Sequence, residues 1–462
     1  MILAASHRQP LNGNKRLLIF FLFFSLLFFS QCATRKSIPV NTQKNPPAKP
    51  TSEKPVKIDT VVWKNEPAKK AETPVVTPST NKSDEVVYKP TGKYKKEIDQ
   101  LRIVALVPFK TSGNDTSTSR INSASTRYVH FYAGMNMAID ELSREAGKKV
   151  VIDVYDCESV EEAAVSLANY SNMAPHIIIG PQKVEALKYV ATWSKDHETT
   201  LISPWVSSPS ITEENPYYIQ TKAGLSAHYQ NINEHARAKY PTENIILISK
   251  SIDESKLKNF NDSNKYKDIV EKIIKENDLA TGVDPIITPM LKETGPTVFI
   301  LPMASSKDEN YIYHFLRRVV SEKTNKEIIV YGMYKWLEMK ADIIDYMNVY
   351  KIRLSISNYF DQDNQNIKSF KKRYFDKYRE FPSQDALEGY DVMKYSIRNL
   401  RAHGSDFQFK NLPPHISYLE TMFDIKPIHK LITPGGAPVL QYYENAYVKI
   451  VELRNNRYRI VE

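Results

Sequence analysis

The chain has 462 residues, 42% hydrophobic and 11% aromatic, enough for two or three domains with a sizeable core. Its formal net charge of +10 lies entirely in residues 1–102, whereas residues 103–462 carry 45 basic and 45 acidic groups. A nucleic-acid binder concentrates basic charge on its folded part, so this distribution argues against nucleic acid as a partner. The two cysteines, Cys32 and Cys157, lie in segments of different character. They form neither a disulfide framework nor a zinc-ligand spacing.

The amino terminus reads as a targeting segment. Lys15-Arg16 precedes an apolar run from Leu17 to Phe29, followed by Ser30-Gln31-Cys32. A basic region, a short apolar stretch and a small-residue stop make a secretory signal. The run is shorter than the ~17–25 residues of a spanning helix, the competing reading. A cysteine directly after the apolar stretch resembles the lipobox of bacterial lipoproteins, with Ser30 in keeping and Gln31 and Phe29 departing from it. That resemblance implies cleavage before Cys32 and lipid on its thiol. Residues 32–100 are rich in Pro, Lys, Thr and Ser and show no lasting apolar periodicity, so they are expected to be a disordered tether. A flexible chain of this length spans roughly 45–50 Å root-mean-square.

The folded part opens with Leu101-Arg-Ile-Val-Ala-Leu-Val-Pro108, a run expected of a strand buried on both faces. Helical periodicity covers residues 131–142, and Val150-Val-Ile-Asp-Val-Tyr155 is the next strand. Ser159, with Glu162 three residues on, predicts a capping box and a helix to about residue 172. Ile177-Ile-Ile-Gly-Pro181 and Leu201-Ile-Ser-Pro204 are strand-and-turn units around a helix at 182–198. The order is β-α-β-α-β-α-β, predicting a parallel sheet with right-handed crossovers. Residues 216–221 read as a crossing strand, 226–240 as a helix and 244–249 as the start of a second sheet. A helix at 261–277, a strand near 283–287, strands at 296–302 and 327–331 and a helix at 308–322 continue it. Residues 353–357 read as a second crossing strand. Amphipathic helices follow at 367–379 and 383–401, then a terminal hairpin turning at Asn455-Asn456.

These residues carry a resemblance. The order Ile-Val-Ala-Leu-Val-Pro, Ile-Ile-Ile-Gly-Pro and Leu-Ile-Ser-Pro-x-x-Ser-x-Pro-x-x-Thr212 is similar to the first lobe of type I periplasmic binding proteins, the leucine/isoleucine/valine-binding class. Val330-Tyr-Gly-Met-Tyr-Lys-Trp336 resembles their Gly-then-Trp turn. Phe370 to Pro382 followed by Glu388-Gly-Tyr-Asp391 resembles their later helices. The set spans residues 101–402 and also resembles the lipoprotein activators of penicillin-binding proteins. The resemblance implies an α/β fold of two doubly wound lobes joined by crossing strands around a cleft. The first lobe is expected at 101–222 plus 358–402, the second at 223–357 plus 403–462.

The resemblance further implies ligand-contacting residues at Pro181, Gln182, Trp205, Ser207, Ser208 and Tyr334. Helix amino termini at such turns offer free N–H groups to a carboxylate. Trp205 stands where the family has a small residue, and either stacks on a ring or sugar face or fills the cleft. Gln182-Lys-Val-Glu185 replaces a hydroxyl-rich turn. Asp391 reads as a structural acceptor rather than a base, and Cys157 as a small buried residue. No nucleophile elbow, zincin motif, P-loop or dinucleotide fingerprint is present, so neither catalysis nor a cofactor or metal is expected. The implied function is capture of a small ligand (amino acid, peptide or cell-wall fragment) by a periplasmic lipoprotein of a Gram-negative-type bacterium, on the outer membrane. The alternative is a lipoprotein that regulates peptidoglycan synthesis through a cell-envelope protein.

Overall fold

A computed structural model describes residues 59–62, 91–93, 96, 99–113, 122–250, 260, 269–281, 283–358, 364–410, 412–413, 416–432, 436–455 and 457–461. The predicted signal peptide and Cys32 lie outside these residues.

In chain order the first lobe contains β1 (Asp59–Val62), β2 (Gln100–Val107), α1 (Ser123–Leu142), β3 (Lys149–Asp156), α2 (Val160–Ala168), β4 (Ile177–Ile179), α3 (Val184–Asp196), β5 (Thr200–Ser203) and β6 (Tyr218–Gln220). The chain then enters the second lobe with α4 (Leu225–Lys239), β7 (Ile245–Ser249), β8 (Val270–Ile273), α5 (Glu276–Thr281), β9 (Thr297–Ile300), α6 (Glu309–Glu322), β10 (Ile328–Met333), α7 (Ala341–Val349) and β11 (Lys351–Ile356). It returns through α8 (Gln365–Tyr378), α9 (Gln384–His403), β12 (Ile416–Ser417), β13 (Met422–Phe423), β14 (Ile425–Lys430) and β15 (Val439–Asn445). It ends in the second lobe with β16 (Lys449–Arg454) and β17 (Arg457–Ile460).

The first sheet has the order β1-β3-β2-β4-β5-β6-β15-β14, and the second β17-β16-β11-β10-β9-β7-β8. The first sheet's central strands, β3 to β15 in that order, are parallel; β1 and β14 run antiparallel at its two edges. Parallel strands covered by helices on both sides need apolar residues on both faces. β2 shows why its sequence is nearly continuous: Ile103, Ala105 and Val107 face one cluster with Phe131, Met135 and Tyr390. Val104 and Leu106 face another with Leu167, Leu187 and Val190 of α2 and α3. The second lobe has its own core around Tyr229, Phe315, Tyr331 and Trp336.

Local signals explain the helix starts. Ser159 and Glu162 form the expected reciprocal capping box of α2. At the α1–α9 contact, a Cβ on Gly134 would stand 1.8 Å from the Ala386 carbonyl oxygen, and one on Gly389 2.0 Å from that of Phe131. The glycine of Glu388-Gly-Tyr-Asp391 is therefore a helix-packing residue.

Several expectations are corrected. β6 and β11 are not crossing strands: each lies within its own lobe's sheet, and the crossings are the loops after them. A third crossing, at residues 446–448, joins β15 to β16. Residues 403–445, assigned from sequence to the second lobe, lie in the first, because β14 and β15 extend its sheet beside β6. Where a helix was expected through residue 277, β8 runs as an exposed edge strand and α5 begins at Glu276; residues 283–287 form no strand. Within the span read as a tether, Asp59–Val62 pairs with Val151–Val154 of β3. Just before β2, the Glu198 carboxylate accepts from the backbone N–H groups of Thr91 (2.8 Å) and Gly92 (3.0 Å).

Candidate functional site

All three crossings leave from the carboxyl ends of parallel strands β6, β11 and β15. The loops that follow the parallel strands of both sheets therefore gather around the crossings, which is where open α/β sheets bind ligands. The six residues named from sequence all fall there: Pro181 and Gln182 after β4, Trp205, Ser207 and Ser208 after β5, and Tyr334 after β10.

The first-lobe wall is built around Trp205. Gly180 adopts φ +82° and a Cβ there would lie 2.3 Å from the Leu106 carbonyl oxygen and 3.0 Å from Cζ3 of Trp205. Glycine at this position thus serves a turn that L-residues resist and a close ring contact. The indole lies 4.7 Å from the Phe131 ring and 5.7 Å, edge-on, from Tyr128. It is packed on α1, and its Nε1–H is buried with no hydrogen-bond partner among the described residues. Ser208 pairs with Ser210 Oγ at 2.9 Å within its own turn. Gln182 and Ser207 are half-buried. Lys183 precedes α3 at its capping position without a side-chain cap bond, so first-turn N–H groups of this helix face back toward the Pro181–Gln182 turn.

On the second lobe, the Tyr334 ring lies 4.9 Å from that of His228 of α4, tilted 32° to it. His228 shares a 2.9 Å hydrogen bond between Nδ1 and Ser355 Oγ, and its Nε2 is buried without a partner among the described residues. Burial pushes this imidazole down to about 4, so it is neutral at neutral pH. The Gly-then-Trp turn has a packing cause. A Cβ on Gly332 would meet the Trp336 ring at 2.7 Å, and the fully buried indole donates to the Met303 carbonyl at 2.9 Å.

Sequence reasoning named Asp391 as a structural acceptor but missed Lys222 and Glu420 at the crossings. Lys222, in the first, is 3.2 Å from Glu388 of α9. Asp391, one turn further along α9, accepts from the backbone N–H groups of Leu419, Glu420 and Thr421 at 2.8–2.9 Å. It is a structural acceptor, and burial raises it to about 7 against those three donors. Glu420 is buried with both carboxylate oxygens unpartnered among the described residues. Burial, together with the charges of Asp391 and Glu388, raises it well above the ordinary carboxyl range. Burial likewise raises Glu388, against the opposing pull of Lys222.

Two adjacent residues tie the first and third crossings together. Glu444 accepts from Gly224 N–H at 2.7 Å and from Gln220 Nε2 at 3.0 Å. Asn445 donates to the Thr221 carbonyl at 3.0 Å and accepts from Tyr447 N–H at 3.2 Å. Gly224, Gln220 and Thr221 lie at least 220 residues from Glu444 and Asn445, and no local pattern announces these pairs. Among the described residues no group of three His, Cys, Asp or Glu side chains is placed to hold a metal ion, and no helix is long and apolar enough to cross a membrane.

Compared by sequence, the chain matches no family model and no curated protein. Its fold is similar to solved structures. A Rhodospirillum rubrum protein assigned to a branched-chain amino acid ABC transporter aligns over 78% of this chain and 99% of its own, at 12% identity and a TM-score of 0.55. A branched-chain amino acid ABC transporter periplasmic ligand-binding protein from Burkholderia xenovorans aligns over 79% and 94%, at 12% identity and a TM-score of 0.50. An ABC transporter substrate-binding protein from Desulfitobacterium hafniense aligns over 78% and 100%, with the same identity and score. Two wound sheets, three crossings and strand-end loops gathered around them give this chain the type I periplasmic-binding fold.

Proposed function

We propose that the chain is a periplasmic solute-binding lipoprotein, lipidated at Cys32 and held on the outer membrane, that closes its two lobes over a small ligand. The carrying observation is the set of three crossings at the carboxyl ends of both sheets, the first and third of them tied together by Glu444 and Asn445. Such a joint permits lobe closure while fixing the strand-end loops around it. The uncapped start of α3 beside Pro181 and Gln182 suits a ligand carboxylate, and the Rhodospirillum and Burkholderia proteins are assigned to branched-chain amino acid transport. Amino acids, short peptides and cell-wall fragments are the ligand class.

A thermal-shift panel of amino acids, peptides and muropeptides tests the reading, since ligand at a hundred times its Kd adds about 2.7 kcal/mol. A panel in which no compound shifts the melt rejects it. Lipidation is tested separately: palmitate incorporation should be lost in Cys32→Ala, and labelling that persists removes the anchor.

Trp205 favours a second reading. Its indole occupies the first-lobe wall at the turn where the resemblance places ligand. A domain whose cleft is filled from within acts through a protein partner, here in peptidoglycan synthesis. Crosslinking in cells separates the two: recovery of an importer permease alone supports capture, and recovery of a cell-wall synthase supports the second reading.

A further inference from the structure

The second lobe has a hollow at the end of its sheet opposite the crossings. It lies where β10 and β11 begin, under α6 and α7, and has a volume of about 210 Å³. Leu316, Val319, Tyr346 and Ile352 form its apolar floor. An engineered apolar cavity of roughly 150 Å³ admits benzene, so this space takes one ring or a short chain.

The mouth is cationic. Lys351 pairs with Glu327, and Lys326 pairs at 3.6 Å with Glu293, which stands almost wholly in water. Lys323 differs: its ammonium sits 5.1 Å over the Tyr350 ring and has no carboxylate partner among the described residues. An apolar floor with an ammonium free of carboxylate at its rim matches one chemistry, a short monocarboxylate. The carboxyl end of α6 also reaches this mouth and weakly repels an anion, so recognition falls to the Lys323 side chain.

We propose that this hollow binds a small amphiphilic monocarboxylate, with the tail between α6, α7 and β10 and the carboxylate on Lys323. The site is separate from the cleft and does not depend on what the cleft binds.

Calorimetry with octanoate, 1-octanol and octylammonium tests it on the full chain. Octanoate should bind saturably, octanol at least tenfold more weakly, and octylammonium not at all. Lys323→Gln should reduce octanoate to the affinity of octanol. Val320→Trp should abolish both by filling the hollow. If that variant does not fold, Val349→Trp at the exposed rim replaces it, Val349 being 73% exposed. Octylammonium or octanol binding as tightly as octanoate overturns the charge assignment. Undiminished octanoate binding in the filled variant, or none to the parent chain, overturns the site.

Discussion

Replacing Gly389 with alanine puts the α1–α9 packing at risk in a way whose sign is decisive. On an isolated helix, Gly→Ala stabilises by about 1 kcal/mol. Here the new methyl carbon would stand 2.0 Å from the Phe131 carbonyl oxygen and 2.8 Å from its carbon, where ordinary contact begins at 3.4 Å. The obstructing atoms are backbone, so no rotamer relieves them. The helices must part by more than an ångström, and the same contact is repeated in reverse at Gly134. Parting also stretches the bonds that cross this interface: Tyr390 Oη to Glu141 at 2.6 Å, Lys394 Nζ to Glu141 at 2.6 Å and Arg401 Nη1 to the Leu142 carbonyl at 3.0 Å. Overpacking of this kind costs about 3 kcal/mol or more. Set against the propensity gain, the net loss is about 2 kcal/mol or more. Urea unfolding followed by circular dichroism reads it directly, with an unchanged m-value expected. A Gly389→Ala protein that is more stable than the parent refutes the packing argument, because only a loosely opposed pair of helices allows the propensity term to win.

Other expectations follow from the same structure. Glu420 is raised in the folded state, so its contribution to stability is full below its unfolded pKa and is lost as pH rises through the folded value. Glu420→Gln should therefore flatten the fall in stability as pH rises above the ordinary carboxyl range. Asp391 and Glu388 act in the same direction and leave a residual slope; parallel curves for parent and variant refute the assignment. Trp205→Ala should lower ligand-free stability by about 2–4 kcal/mol if the indole is packing, as its contacts with Phe131 and Tyr128 indicate. A change within error makes it a ligand platform instead. Burial pushes the Cys157 thiol up to about 12, so in Cys32→Ala it should resist alkylation while folded and react fully once unfolded.

The strands and their order were legible because parallel strands covered on both faces leave runs such as Ile103–Val107 in the sequence. The crossings were not. Residues 216–221 and 353–357 have the same apolar character as any buried strand, and which sheet they join depends on helices packed later in the chain. β8 was misread because its Val270 and Ile273 stand three apart, as on a helix face, while the strand itself is an exposed edge. Residues 403–445 went to the wrong lobe because β14, an edge strand that tolerates Pro427, has weak alternation. The site was half legible. The family resemblance pointed to Pro181 and Trp205, yet the wall made by Trp205 and Phe131, and the pairs Lys222–Glu388 and Glu444–Gly224, join residues that only the folded chain brings together.

The edge strand β1 also has a geometric consequence. If Cys32 carries lipid as proposed, the 26 residues 33–58 alone join the membrane to the point where β1 enters the first sheet. Whatever conformation they take, a chain of that length spans at most about 94 Å. While β1 stays paired, the stretch from Trp63 onward adds nothing to this radius. How far from the bilayer the first lobe can work is then set by the point at which the chain joins the sheet, and peeling off those four residues lengthens the leash at a stroke.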